Sequence, residues 1–301
     1  MVDRWKDERE LFADTQARLD ELAALGELTA RRYIHHPQFA ARPMPRFLYR
    51  FLGANKPNRL RQIIVDNALY LSSADYFNDP FDCRYVLTSA ASVREQLRLH
   101  EAIVKRQMPG LRGLKRKELV RRSFRNSGYD QSDITRTAHD ETIRTAGICC
   151  LSTDAKSILL WSHYGESHRG VAFQFKVSAP TALFLLTNPV SYRGPQDDLP
   201  SIDASYDPHT DHGKHLIEVL FLNKFKDWCY EQEYRLILTD RAKTAIRFHP
   251  DHLTGVILGC NASDDTRSYV RELIQESRST PRLYQAQTVD NRYRLRVVET
   301  N

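Results

Sequence analysis

Hydrophobic positions change their rhythm along the chain. Over residues 1–32 they fall at Trp5, Phe12, Leu19, Leu22, Leu25 and Leu28, at mixed spacings of seven and three, with no Pro and no Gly before Gly26. That pattern predicts an N-terminal helix, one that would dock on the body of the protein or on a second copy. The run Arg42-Pro43-Met44-Pro45 breaks it, and residues 46–52 (RFLYRFL) begin a strand. A short helix is predicted over 60–67 and a second strand over 69–72. Asn78-Asp79-Pro80-Phe81 reads as a turn, because Asn and Asp bond the backbone locally and Pro fixes φ. From about residue 92 to 145 the pattern is helical and highly charged, interrupted at Pro109-Gly110 and Gly113.

After Gly147 the apolar runs become short, β-branched and aromatic, and bounded by turn residues. Strands are predicted over 148–152, 170–175, 190–193, 234–238 and 253–258, with a helical turn over 157–164. Helices are predicted over 215–226 and 263–275, and a pair of strands over 283–286 and 293–298 closes the chain. The expected architecture is α+β with mixed strands: a helical segment over 1–45, then one domain over 46–301 carrying a helical insertion at about 92–145. No internal repeat is present.

Composition narrows the class. The 301 residues are 41% hydrophobic and 27% charged, which excludes wholesale disorder and leaves room for a sizeable core. Mean hydropathy is −0.54, and no window approaches the roughly 18 apolar residues of a membrane span. The charged first ten residues do not form a signal peptide. Five cysteines without a C-x-x-C pair indicate neither a disulfide framework nor a zinc ribbon, and point to a reduced, cytoplasmic setting. Charge is distributed unevenly. Residues 105–125 hold nine basic residues and one acid, a net +8, against +6 for the whole chain. Lys115, Arg116, Lys117, Arg121 and Arg122 lie at its centre, and the segment suits either a nucleic-acid phosphate backbone or a solvated helical insertion.

Three constellations carry polar chemistry. Residues 161–170 (WSHYGESHRG) crowd Trp161, Ser162, His163, Tyr164 and His168 between glycines. This is either a place where backbone approaches a ligand, or a turn whose histidines cap backbone groups. Residues 228–235 (WCYEQEYR), read as a strand, put Glu231, Glu233 and Arg235 on one face, forming either a site or an exposed Glu–Arg edge. His209, His212 and His215 are spaced by three, but Pro208 and Gly213 argue for a loop over a metal site, so no metal is expected. No P-loop, Rossmann, nucleophile-elbow or H-E-x-x-H motif occurs.

The segments RFLYRF, ALYLSSADYFNDPFDCR, GICCLSTDAKSILLWSHYGESHRGVAFQF, KDWCYEQEYRLI and GVILG, in that order over about residues 46–260, resemble the bacterial domain-of-unknown-function family 2971. That family name implies no activity. The layout is also similar to ADP-ribosyltransferases of the DNA-modifying toxin branch. Their plan has a first strand bearing a basic or His residue, a second strand bordering the nicotinamide pocket, and a late strand bringing the catalytic Glu. The resemblance implies an ADP-ribosyltransferase-like core that takes NAD as substrate. Tyr49 and Arg50 would contact its ribose or phosphates, and Asn78, Asp79, Ser152, Trp161, Ser162, His163, Tyr164 and His168 would border the pocket. Glu233 would be the catalytic glutamate, with Glu231 two residues before it. The first strand here carries Tyr-Arg rather than a His, and no Ser-Thr-Ser triplet follows.

Two functions of different class are expected from this reading. One is an NAD-dependent ADP-ribosyltransferase-like toxin or phage-defence effector acting on nucleic acid or protein. The other is a non-catalytic nucleic-acid-binding or regulatory module using residues 105–125.

Overall fold

The run FLYRFL alternates leucines and aromatics about a single arginine, and a strand of that kind has two faces to cover. Both are covered. The structure, a computed structural model, describes residues 45–88, 97, 98, 100, 101, 104, 105, 108–126, 131–177, 183–203 and 213–300. Its first half contains β1 (Phe47–Leu52), α1 (Pro57–Ile64), β2 (Ala68–Tyr70), β3 (Val86–Thr88), α2 (Gly113–Asn126), α3 (Gln131–Thr145), β4 (Gly147–Ser152) and α4 (Ile158–His163). Next come β5 (Val171–Lys176), β6 (Asn188–Pro189), β7 (Ser191–Arg193), β8 (Ser201–Asp203), α5 (Gly213–Phe221) and β9 (Asn223–Phe225). The chain closes with β10 (Glu233–Leu238), β11 (Ala245–Arg247), β12 (Leu253–Leu258), α6 (Asp264–Glu276), β13 (Arg282–Val289) and β14 (Arg292–Glu299).

Eight strands form one sheet in the order β14-β13-β12-β5-β1-β4-β10-β6. Every neighbouring pair is antiparallel except β12 and β13. On one face Leu48, Leu151, Phe173, Phe175, Leu236 and Val256 pack with Leu60, Ile63 and Ile64 of α1, Val270 and Leu273 of α6, and the rings of Phe184 and Phe248. The other face carries two smaller apolar clusters. Trp161 covers Ala172, Ile257, Ala286 and Leu295 at one end, while Ile148 packs with Val219, Leu220 and Phe221 of α5 at the other. A cleft on this face draws lining from both, through Tyr49 and Phe51 of the first and Phe77 and Cys150 of the second.

The fold is α+β, and each predicted strand has its counterpart, while β3, β6, β8, β9 and β11 arise where no strand was predicted. Two expectations fail locally. The helix expected over 215–226 stops at Phe221, where the Asn223 side-chain Nδ2 donates to the Glu218 carbonyl at 2.7 Å and β9 then pairs in parallel with β7. Residues before Glu233 are not strand either: Lys226–Glu231 is a 3-10 turn, and Gln232 sits in the left-handed region at φ 43°. The helix expected over residues 1–32 lies outside the described residues, as do His209 and His212.

Candidate active site

The cleft follows from how one pair of strands separates. β4 is paired to β10 through six positions and β1 to β5 through six, but β1 meets β4 at a single pair, Tyr49 opposite Ser152. Past that point Ile148 of β4 exchanges both backbone hydrogen bonds with Ser72, each at 2.8 Å, rather than with β1. The wedge left between the strands opens into a cleft of about 300 Å³, lined by both strands, by the turn at Asn78, by His163 and Tyr164, and by Lys224, Glu231 and Glu233.

Its floor is a buried ionic cluster. Arg235, with no exposed surface, forks onto Asp82 at 2.8 and 2.6 Å, and its Nε donates to Glu233 at 2.7 Å. Lys224 Nζ donates to Glu231 at 2.5 Å and to Glu233 at 3.1 Å, with Asp82 at 3.8 Å. Tyr164 donates its hydroxyl to the other Glu231 oxygen at 2.8 Å. Each member is held by local structure. Asp79 Oδ1 accepts the Phe81 amide at 2.8 Å, and the resulting turn brings Asp82 up to Arg235. Ser157 caps α4, whose last turn delivers His163 and Tyr164. The Tyr192 hydroxyl accepts the Glu233 amide at 2.8 Å and anchors the start of β10.

The two glutamates differ in kind. Burial alone would raise the Glu233 pKa, but the charges of Arg235 and Lys224 outweigh it and hold the carboxyl at about 2. For Glu231, burial wins: its pKa is raised, with Lys224 opposing and the neighbouring Glu233 charge reinforcing the rise. Burial also raises the Tyr164 phenol, aided by Glu231, so it stays a proton donor. A cleft that drives two neighbouring carboxyls apart in acidity is the arrangement expected where acid and base roles are divided.

The profile of a family described as "Protein of unknown function (DUF2971)" matches residues 160–236. Over that stretch the chain resembles DUF2971. No curated protein and no solved structure gives a match. The DUF2971 stretch contains His163, Tyr164, Lys224, Glu231, Glu233 and Arg235, whereas β1 and Asp82 fall outside it.

Of the residues expected at the site, Tyr49, Arg50, Asn78, Ser152, His163, Tyr164, Glu231 and Glu233 line this one cleft. Arg50 lies on the apolar side of β1 by strand parity, and its guanidinium reaches across the wedge to the Cys149 sulfur at 2.6 Å. Four others are placed elsewhere. Trp161 is fully buried, with its indole donating to the Ala155 carbonyl at 2.9 Å and its ring edge-on to Phe51, so it is core and offers no face to the cleft. His168 stacks on the same indole, Ser162 is exposed outside the lining, and Asp79 serves the turn. The glycines flanking the histidines serve chain packing rather than ligand approach. A Cβ on Gly170 would meet the Leu52 carbonyl at 2.2 Å, and one on Gly165 the Trp161 ring at 2.7 Å. Glu233 and Arg235 do share one face of β10, whereas Glu231 joins them through a 3-10 turn and a left-handed residue rather than along the strand.

Asp82 and Lys224 escaped the sequence reading. Lys224 did leave a signal, a lysine inside the apolar run FLNKF, which a helical reading of 215–226 wrongly sends to solvent. A solvent-facing group of rings also goes beyond expectation: His163 lies 6.4 Å from Trp228 and 6.3 Å from Tyr230 by ring centroid. Lys115, Arg116, Lys117, Arg121 and Arg122 sit on α2 and do not line the cleft. Among the described residues no group of His, Cys, Asp and Glu is arranged to hold a metal ion, and no helix is long and apolar enough to cross a membrane.

Proposed function

We propose that the cleft takes NAD as substrate and that the protein is an ADP-ribosyltransferase-like enzyme of the toxin or defence-effector kind. The observation that carries this reading is one of adjacency. Polar residues from three neighbouring strands, Tyr49 and Arg50 on β1, Ser152 on β4 and Glu233 on β10, meet at one cleft with Glu231 beside them. The residue types fit the substrate: Lys56 for phosphates, Tyr49 and Tyr164 for the flat nicotinamide ring, carboxylates for the ribose. A volume of about 300 Å³ is at the lower bound for small-molecule pockets.

The chemistry divides along the two acidities. The ribose C1′–nitrogen bond breaks, its electron pair leaves with nicotinamide, and positive charge grows on the ribose. Glu233, ionised and fixed by Arg235 and Lys224, supplies a preorganised negative charge for that centre. An acceptor hydroxyl or amine, or water, then bonds to C1′ and gives up its proton. Glu231, whose pKa is raised, is the group suited to take it.

Nicotinamide release and transfer of label from NAD to cell extract test this reading. Glu233→Gln should lower both by about 10²-fold, the usual cost of one preorganised electrostatic group. Glu231→Gln should reduce transfer more than NAD hydrolysis. Absence of both nicotinamide release and transfer in the unmodified protein, with extract present, would sink it.

A further inference from the structure

Away from the cleft, helix α2 presents the densest charge of one sign among the described residues. Its inward face is set by spacing: Val120 is buried, and Arg116 and Phe124, four residues to either side, are half-buried. Phe124 meets the His100 ring edge-on at 5.8 Å, and Arg116 Nε donates to the Leu111 carbonyl at 2.7 Å. With that face directed inward, the remaining arc carries Lys115, Lys117, Arg121 and Arg122, all exposed, with Glu118 the one acid among them.

We infer that this arc is a binding surface for the phosphate backbone of a nucleic acid. Lys117 and Arg121 are four residues apart and so lie about 5–6 Å from each other along the helix. One strand of a duplex offers a phosphate every ~3.4 Å of axis, so successive side chains meet nearby phosphates without rearrangement. A membrane surface fits less well, because an interfacial helix needs an apolar face for the acyl boundary. The apolar side of α2 is turned inward through Val120, and Leu114, 83% exposed, is a single apolar residue within the charged arc. No base-reading element is implied; the surface binds by charge.

The inference is independent of NAD chemistry, so it is tested without NAD. Binding of a labelled 20-mer, as single strand and as duplex, is measured by anisotropy over a salt series. Four phosphate contacts predict a slope of log affinity against log salt near −0.9 per contact for duplex, about −3.6, and about −2.8 for single strand. The variant Lys115→Gln/Lys117→Gln/Arg121→Gln/Arg122→Gln should lose most of that slope and bind at least ~10-fold more weakly at 0.1 M salt, with its Tm unchanged. Lys115→Arg/Lys117→Arg should retain both slope and affinity. If the fourfold variant does not fold, Lys117→Gln/Arg121→Gln replaces it, with an expected slope change of about 2. An unaltered slope in a folded variant overturns the inference, as does failure of the unmodified protein to bind either form at 50 mM salt. Displacement of the nucleic acid by polyglutamate or phosphatidylserine vesicles as readily as by unlabelled nucleic acid would assign the surface to an acidic protein or a membrane instead.

Discussion

The two faces of β10 put opposite kinds of core side by side. Tyr234, Leu236 and Leu238 join the large apolar cluster with Phe173, Phe175 and the helices α1 and α6. Glu233 and Arg235, alternating with them, enter the ionic cluster with Asp82, Lys224 and Glu231. The apolar face stabilises through the area it removes from water. The ionic face does not work that way: desolvating three carboxylates and two cations costs about what their attraction returns, and hydrophobic residues of the same volume would hold the fold as well or better. A cluster of this kind, lining a cleft, is the feature on which the proposed function rests. Its buried contacts fix side chains in place and separate the acidities of two glutamates.

The largest effect should come from Arg235→Leu. Three carboxylates would then face one lysine, and stability should fall by about 3–5 kcal/mol in a denaturant titration, the usual consequence of orphaning buried charge. Leu236→Ala on the opposite face should cost about 2–5 kcal/mol by leaving a cavity, yet preserve ligand binding in the cleft. Adding Asp82→Leu to Arg235→Leu should restore at least half of the lost stability without restoring activity. A double variant as unstable as the single one would mean that the pair holds the fold together and is not there for the site.

The pH dependence should separate the glutamates by sign. The Glu233 pKa is lower folded than unfolded, so its contribution is present above about pH 4.5 and is lost as pH falls towards about 2. The Glu231 pKa is raised, so its contribution is full at low pH and is lost as pH rises through the folded value. Melting curves against pH should therefore lose part of their acid limb in Glu233→Gln and flatten on the other side in Glu231→Gln. Identical profiles for the two variants would refute the division of roles. The smallest effect is a control. Breaking the exposed pairs Arg61–Glu276 or Arg144–Glu141 should leave Tm unchanged at physiological salt, because solvent screens them.

The longer strands, the turn at Asn78 and the charged helical character of α2 all depend on neighbours in the chain, and the sequence by itself determined them. Glu231 and Glu233 were legible for the same reason: two acids within an aromatic run at the head of a strand are conspicuous locally. Trp161 misled because a tryptophan beside histidines reads alike whether its ring meets a ligand or, as here, the Ala155 carbonyl and Phe51. The company those glutamates keep was decided only in three dimensions. Asp82 and Arg235 are 153 residues apart, and their two hydrogen bonds depend on the strand order β1-β4-β10 and on the turn that lifts Asp82 towards it. Lys224 becomes a buried partner only because β9 pairs with β7 and ends the helix. The cleft itself arises where β1 and β4 part after one pair, and no residue of either strand announces that parting. Periodicity and capping act over a few residues, whereas the burial of a charge depends on which distant segment closes over it.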